Sequence, residues 1–120
     1  MNYPSSTLIV EDNPIIALGF ENLLVSFGIE NINVATSFEE AISHHDIFEL
    51  ALIDINLGGG NDGFELAKQI QKKGPNTKII FITAYKDQKI MSRVSEIKNA
   101  VLLEKPLHEN ELKVALETNP

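Results

Sequence analysis

The sequence contains no cysteine, so disulfide bonds and thiolate metal sites are excluded. It has no apolar stretch long enough to span a bilayer, and its first residues lack the basic and apolar regions of a signal peptide. We therefore expect a cytoplasmic protein that makes no membrane contact. Basic residues are also scarce: 10 Lys and Arg against 17 Asp and Glu give a formal net charge of -7. This charge argues against direct binding to nucleic acid.

What is present is enough apolar material for one core, since 43% of the 120 residues are hydrophobic. The length predicts one domain over residues 1–120. Short apolar runs alternate with amphipathic segments, and the runs at 7–10, 32–35, 50–54, 78–83 and 100–104 are predicted strands. Most runs are continuously apolar, as in parallel sheets covered on both faces. The pattern predicts an α/β, doubly wound (βα)5 fold with a five-stranded parallel sheet.

Residues typical of helix ends mark the segments between the strands. The predicted starts are Asn13-Pro14, the capping box from Ser37 to Glu40, and the same spacing of Asp62 and Glu65. The predicted ends are Gly28 and Gly74, because glycine commonly follows the last turn of a helix.

Polar residues stand at the carboxyl ends of four predicted strands. Strand 1 ends in Glu11-Asp12, strand 3 in Asp54, strand 4 in Thr83-Ala84, and strand 5 in Glu104-Lys105-Pro106. In open α/β sheets, ligands bind beyond the carboxyl ends of the strands. The sequence therefore predicts a site with three carboxylates, a hydroxyl and an ammonium group at one edge of the sheet.

The clustered carboxylates favour a divalent cation. Asp12 and Asp54 are candidate Mg²⁺ ligands, with Glu11 binding directly or through water. Lys105 is expected to pair with Asp54, whose carboxylate can then attack a phosphorus atom. Thr83 is placed to hydrogen-bond a phosphoryl oxygen. Each residue also has an ordinary explanation as a cap, strand or loop residue, and only their combination favours phosphoryl chemistry.

The motifs LIVEDN, LALIDINL, DGFELA, IIFITA and LLEKPL resemble, in this order, those of the receiver domain of two-component response regulators. The resemblance covers essentially the whole chain and implies the flavodoxin-like strand order 2-1-3-4-5. It implies that Asp54 accepts a phosphoryl group from a phosphohistidine on a histidine kinase or histidine phosphotransfer protein. Such a domain is a signalling module and not an enzyme, because it catalyses only its own phosphorylation and dephosphorylation.

The resemblance also assigns roles to the neighbours of Asp54. Glu11, Asp12, Asp54 and the backbone carbonyl of Asn56 correspond to the metal site for Mg²⁺, with Mn²⁺ as a substitute. Thr83 corresponds to the switch hydroxyl. Lys105 corresponds to the lysine of the family, which typically forms a cis peptide with Pro106.

The chain departs from the family pattern in three places, and Tyr85 is a further position of interest. Leu102 stands where the family often has an aromatic residue, and the loop after Asp54 contains Gly58–Gly60. Asn99 replaces the glycine usual before strand 5 and is expected to adopt the left-handed conformation. Tyr85 lies where the family tunes the access of water, so it either shields the phosphoryl group or is a half-buried packing residue.

The resemblance further implies surfaces for partners. Ile15, Ile16, Pro106 and Leu107 surround the acidic edge, and we expect a phosphohistidine donor to dock there. Helix 4, strand 5 and helix 5 would form the output face and possible homodimer contact. On helix 4, Lys89 and Arg93 are expected to be solvated surface charges or to pair across such a dimer.

Other functions fit the sequence less well. A receiver-like interaction module that is not regulated by phosphorylation remains the main alternative, and Leu102 favours it slightly. A hydrolase of the haloacid dehalogenase type needs a second Asp where Asn56 stands. The glycine run lacks the Gly-Lys-Ser/Thr ending of a P-loop, and strand 1 is not followed by the glycines of a dinucleotide fold.

Overall fold

The computed structural model describes residues 3–57 and 62–118. Strands and helices alternate strictly: β1 Thr7–Val10, α1 Pro14–Ser26, β2 Ile32–Ala35, α2 Phe38–Ser43, β3 Leu50–Asp54, α3 Gly63–Lys73, β4 Lys78–Thr83, α4 Gln88–Ser95, β5 Ala100–Glu104 and α5 Glu109–Glu117. All five predicted strands are confirmed at the predicted residues. Within the described ranges, no helix has the length and apolar character needed to cross a membrane. The predicted glycine-rich rim, Gly58–Gly60, lies outside the described residues.

The five strands form one parallel sheet in the order β2-β1-β3-β4-β5, which confirms the expected topology. Val10, the last residue of β1, lies between Ala35 of β2 and Ile53 of β3. The chain leaves β1 toward one edge of the sheet and returns past it to β3. Ligand sites in such sheets lie at this reversal, and here it places the residues after β1 next to the end of β3.

Both faces of the sheet are covered by apolar clusters. Alternate residues of β1 enter opposite clusters, with Leu8 and Val10 on one side and Ile9 on the other. The first cluster includes residues of α2, α3 and α4, and the second includes residues of α1 and α5. Because β1 and β3 are buried on both faces, their sequences are continuously apolar rather than alternating.

The helix starts use the predicted caps. The side chain of Asn13 accepts hydrogen bonds from the amides of Ile15 and Ile16, and the hydroxyl of Ser37 accepts one from the amide of Glu40. The carboxylate of Glu40 accepts a hydrogen bond from the hydroxyl of Thr36. Each cap satisfies backbone donors that have no partner inside the first helical turn.

The predicted helix ends have two different physical causes. Gly28 has a φ of 88°, and Asn99 has a φ of 58°, so both occupy the left-handed conformation. Gly74 ends α3 with an extended φ of -129°. A Cβ at Gly74 would lie 2.6 Å from Cγ2 of Ile47 and 2.7 Å from Oγ1 of Thr77. At Gly74, glycine is therefore required by space and not by backbone conformation.

Candidate functional site

The carboxyl edge of the sheet brings together the predicted acidic residues. Glu11 and Asp12 follow β1 directly, and Asp54 is the last residue of β3. Each of the three side chains offers a carboxylate oxygen, and these atoms lie within 4.8 Å of one another. Among the described residues, this is the group of acidic and histidine side chains that is close enough to hold a metal ion.

Lys105 supplies the positive charge of this cluster. Its Nζ donates a hydrogen bond to Oδ2 of Asp54 at 3.0 Å, as predicted, and lies 3.1 Å from Oε1 of Glu11. Partial burial alone lowers the pKa of Lys105, but the contacts with Asp54 and Glu11 outweigh burial and raise its pKa. The peptide bond between Lys105 and Pro106 is cis. The backbone amide of Lys105 donates to the carbonyl of Thr83 at 2.7 Å, which ties β5 to the end of β4.

Glu11 is the most buried carboxylate of the site, with 1% of its surface exposed. Oε2 accepts a hydrogen bond from the amide of Asn13. Oε1 is buried without a hydrogen-bond partner among the described residues, and its contact with Nζ of Lys105 at 3.1 Å is an ion pair. Burial raises the pKa of Glu11 to about 7, helped by Asp12 and Asp54 and opposed by Asn13 and Lys105. One ammonium group therefore only partly compensates three carboxylates.

Asp54 is nearly buried, yet it lines an open cavity of about 620 Å³. Its Oδ1 accepts a hydrogen bond from the backbone amide of Asn56 at 3.0 Å, while Oδ2 is bound by Lys105. These two donors fix the plane of the carboxylate. Ala84 and Asn56 also line the cavity, and the small side chain of Ala84 leaves room beside Asp54.

The hydroxyl of Thr83 is buried and engaged within its own turn. It donates a hydrogen bond to the carbonyl of Tyr85 at 3.1 Å and accepts one from the amide of Tyr85 at 3.3 Å. The side chain of Tyr85 is 63% exposed. Tyr85 is therefore not a half-buried packing residue, and its shielding role stays a prediction.

Leu102 is half-buried and packs against the first apolar cluster, beside Phe81 of β4. The ring of Phe81 packs at 4.7 Å, centroid to centroid, against the ring of Phe64 at the start of α3. Leu102 thus packs against the core at the position where the family often has an aromatic residue.

Arg93 on α4 is half exposed, as expected for a surface charge, and it also forms an ion pair that the sequence did not predict. Its Nη2 lies 2.7 Å from Oδ2 of Asp62 of the same chain, while pairing across a dimer stays a prediction. Asp62 and Arg93 are 31 residues apart, and no local pattern links them. The sequence therefore gives no signal for this pair, although it predicts Asp62 as a helix cap.

The predicted docking residues lie around the cavity with unequal exposure. Ile15 is 80% exposed and Pro106 is exposed, while Ile16 and Leu107 are half-buried and pack against the second cluster. A second cavity of about 530 Å³ lies between α1 and the segment after Lys105, and Ile16, Pro106 and Leu107 line it. It shares Ile16, Ala84 and Lys105 with the first cavity, so an apolar surface adjoins the acidic site.

Comparison with known proteins identifies the family. Residues 7–117 match the family model described as the response regulator receiver domain. The transcriptional regulatory protein ComA of Bacillus subtilis (strain 168) is 35% identical over 83 residues, covering 65% of this chain and 38% of ComA. The phyllosphere-induced regulator PhyR of Methylorubrum extorquens is 34% identical over 102 residues, covering 82% of this chain and 37% of PhyR. The chain thus spans less than two-fifths of these two curated relatives.

A solved structure supports the same assignment. The signal receiver domain of a modulated diguanylate cyclase from Desulfovibrio desulfuricans G20 is 32% identical and superposes with a TM-score of 0.80. The superposition covers 97% of this chain and 92% of that domain.

Proposed function

We propose that this chain, which belongs to the response regulator receiver domain family, accepts a phosphoryl group on Asp54 from a phosphohistidine donor. Members of this family are signalling domains. The observation that carries the proposal is the setting of Asp54, a carboxylate held by Lys105 and Asn56 beside two further carboxylates at an open cavity. A strand-end aspartate that served only as a turn or cap would need neither the lysine nor the acidic neighbours.

The donor set fits a hard divalent cation. Carboxylates of Glu11, Asp12 and Asp54 would hold Mg²⁺ or Mn²⁺, together with the backbone of Asn56. The incompletely paired charge at Glu11, and the pKa raised to about 7 by its burial, support this proposal because a cation relieves both. When bound, such an ion offsets the negative charge of an incoming phosphoryl group.

In the proposed step, a carboxylate oxygen of Asp54 attacks the phosphorus atom of the phosphohistidine. A new O–P bond forms, the P–N bond breaks, and its electron pair remains on the imidazole nitrogen. Lys105 orients Asp54 and offsets part of its negative charge, because its ammonium group donates a hydrogen bond to the carboxylate directly. The product is an acyl phosphate, and no water is consumed in its formation.

Thr83 is proposed to transmit the event to the rest of the domain. Its hydroxyl now bonds the backbone of Tyr85, and we expect it to turn toward a phosphoryl oxygen on Asp54. This would release the turn between β4 and α4. The output face formed by α4, β5 and α5 would then change, and it is also the proposed surface for a homodimer.

The partner is proposed to be a histidine kinase or a histidine phosphotransfer protein. Ile15 and Pro106 are exposed beside the acidic cavity, and Ile16 and Leu107 line the adjoining apolar cavity. An apolar ring around a polar centre allows a donor to exclude water from the reacting groups while it docks.

Phosphorylation by a small donor tests the proposal directly. The protein is incubated with acetyl phosphate and Mg²⁺, and its intact mass is measured by mass spectrometry. We expect an adduct with the mass of one phosphoryl group, which is lost in Asp54→Asn and when the metal is chelated. Asp46→Asn, which neutralises an exposed aspartate on another loop, is the matched control. No adduct, or an adduct that persists in Asp54→Asn, would favour the unregulated interaction module instead.

A further inference from the structure

Arg93 makes two contacts that join α4 to the start of α3. Its Nη2 lies 2.7 Å from Oδ2 of Asp62, the N-cap of α3. Its guanidinium carbon lies 4.1 Å from the ring centroid of Phe64, in the first turn of α3. A planar guanidinium suits both contacts, since it pairs with carboxylates and stacks on aromatic rings. These three residues are called the Arg93 clasp below.

The clasp is connected to Asp54 by a short series of contacts. Asp62 forms an antiparallel bridge with Asn56, whose amide donates to Oδ1 of Asp54 at 3.0 Å. The amide of Gly63 donates to the carbonyl of Ile55 at 3.2 Å. The start of α3 is therefore attached to the two residues that follow Asp54, and Arg93 attaches it in turn to α4.

Chemistry at Asp54 must disturb the near end of this series. Joining an oxygen of Asp54 to phosphorus removes the negative charge of the carboxylate and adds a bulky, charged group beside it. The hydrogen bond from Asn56 then faces a weaker acceptor, so Asn56 and the bridged Asp62 must readjust. In the arrangement that contains the clasp, the hydroxyl of Thr83 bonds the backbone of Tyr85. Because phosphorylation is proposed to turn this hydroxyl toward Asp54, the clasp stabilises the arrangement that precedes that turn.

We infer that Arg93 is a positioning residue that restrains the start of α3 in the unphosphorylated arrangement and thereby couples α4 to Asp54. This inference rests on the phosphorylation of Asp54 proposed above. Coupling between two sites is reciprocal, so releasing the clasp must favour occupation of the Asp54 site. The side chain of Arg93 is half exposed and its two contacts are individually weak, so the expected effect is roughly two- to fivefold in affinity.

The direction in which Arg93→Gln changes the affinity for an anion distinguishes release of the clasp from long-range electrostatics. Removing the positive charge of Arg93 from the neighbourhood of an anion site weakens anion binding if only long-range attraction matters. Releasing the clasp strengthens it. Arg93→Gln therefore distinguishes the two explanations. Asp62→Asn strengthens anion binding under either explanation, and it is used in the double variant to test whether Arg93 and Asp62 act together. Asparagine is as good a helix cap as aspartate, so Asp62→Asn spares the start of α3.

The test measures the apparent Kd of the beryllium trifluoride anion, a phosphoryl mimic, with saturating Mg²⁺, by calorimetry on the whole chain. We expect Arg93→Gln to lower this Kd roughly two- to fivefold, and the double variant with Asp62→Asn to bind no more tightly than the tighter single variant. Lys89→Gln removes a charge from the same helix, where Lys89 is exposed, and should not lower the Kd. Amide hydrogen exchange in α4 should rise in Arg93→Gln without the ligand.

The outcomes distinguish the two proposals. If the wild-type chain binds the mimic and takes up phosphate, but Arg93→Gln has an unchanged or higher Kd, the inference about Arg93 is wrong and the proposed function stands. The same holds if Lys89→Gln lowers the Kd equally. If Arg93→Gln only lowers the free energy of unfolding, the clasp is merely structural. If the wild-type chain neither binds the mimic nor takes up phosphate, the proposed function fails and this inference falls with it.

Discussion

Gly63, the first residue of α3, lies directly against the strand that carries Asp54. A Cβ at this position would lie 2.8 Å from the carbonyl oxygen of Asp54, 3.0 Å from Cα of Ile55 and 3.2 Å from Cγ2 of Ile53. The two nearest atoms belong to the backbone and cannot rotate away. Gly63→Ala must therefore push α3 and β3 apart at the functional site.

The magnitude follows from two opposing effects. Overpacking of a well-packed region costs about 1–3 kcal/mol. Alanine recovers up to about 1 kcal/mol of helix propensity relative to glycine. We expect Gly63→Ala to lower the free energy of unfolding by about 1–2 kcal/mol. At Gly19, inside α1, a Cβ would meet nothing within 4 Å. The same substitution at Gly19 should therefore raise stability by about 0.5–1 kcal/mol.

Urea denaturation followed by circular dichroism measures both effects. The two midpoints should move in opposite directions from that of the wild-type chain, with similar m-values. Phosphoryl uptake from acetyl phosphate should also fall in Gly63→Ala, because the displaced backbone carries Asp54, while Gly19→Ala should match the wild-type rate. A Gly63→Ala variant as stable as the wild-type chain would refute the reasoning, as would parallel shifts of the two midpoints.

Three further predictions concern the site itself. Burial raises the pKa of Glu11 from 4.5 to about 7, so its contribution to stability is present below about pH 4.5 and lost as the pH rises through about 7. With chelator present, the stability of the wild-type chain relative to Glu11→Gln should therefore fall across this range, and a pH-independent difference would contradict this. Lys105→Met should slow phosphoryl uptake roughly ten- to a hundredfold, because it removes one charge-assisted hydrogen bond to Asp54. An unchanged rate of adduct formation, measured by mass spectrometry, would argue against a role for Lys105. Ile15→Asp should slow transfer from a phosphohistidine donor but not from acetyl phosphate. Val25→Asp, at another exposed position of α1, should leave both transfer rates unchanged. Equal slowing of Ile15→Asp with both donors would exclude docking at Ile15.

The strands and several helix ends could be predicted because their causes are local. A strand covered on both faces is apolar along a continuous run, as at 50–53 in β3 and 79–82 in β4, and this pattern is visible in the sequence alone. The caps at Asn13 and Ser37 need only a side-chain oxygen within a few residues of free amides. The left-handed turn at Asn99 was likewise predictable from residue type.

Other features depend on atoms that are distant in the chain. Gly74 ends α3 as predicted, but a side chain is disfavoured there because Ile47, 27 positions earlier in sequence, occupies the space. The pairing of Arg93 with Asp62 depends on how α4 lies against the start of α3, so the sequence predicted the exposed charge of Arg93 but not its partner. The bonding of the Thr83 hydroxyl to the backbone of Tyr85 is a choice between rotamers that composition does not specify.

By itself, the sequence determined the order of the strands and helices, and it placed Glu11, Asp12, Asp54 and Lys105 at the carboxyl ends of strands. It could do so because hydrophobic periodicity and helix caps act over a few residues. Only the tertiary structure decided which of these charges pair with one another. Burial leaves Oε1 of Glu11 without a hydrogen bond and divides one ammonium group between two carboxylates. Those are consequences of distance and dielectric environment, which arise only when separate strands pack side by side.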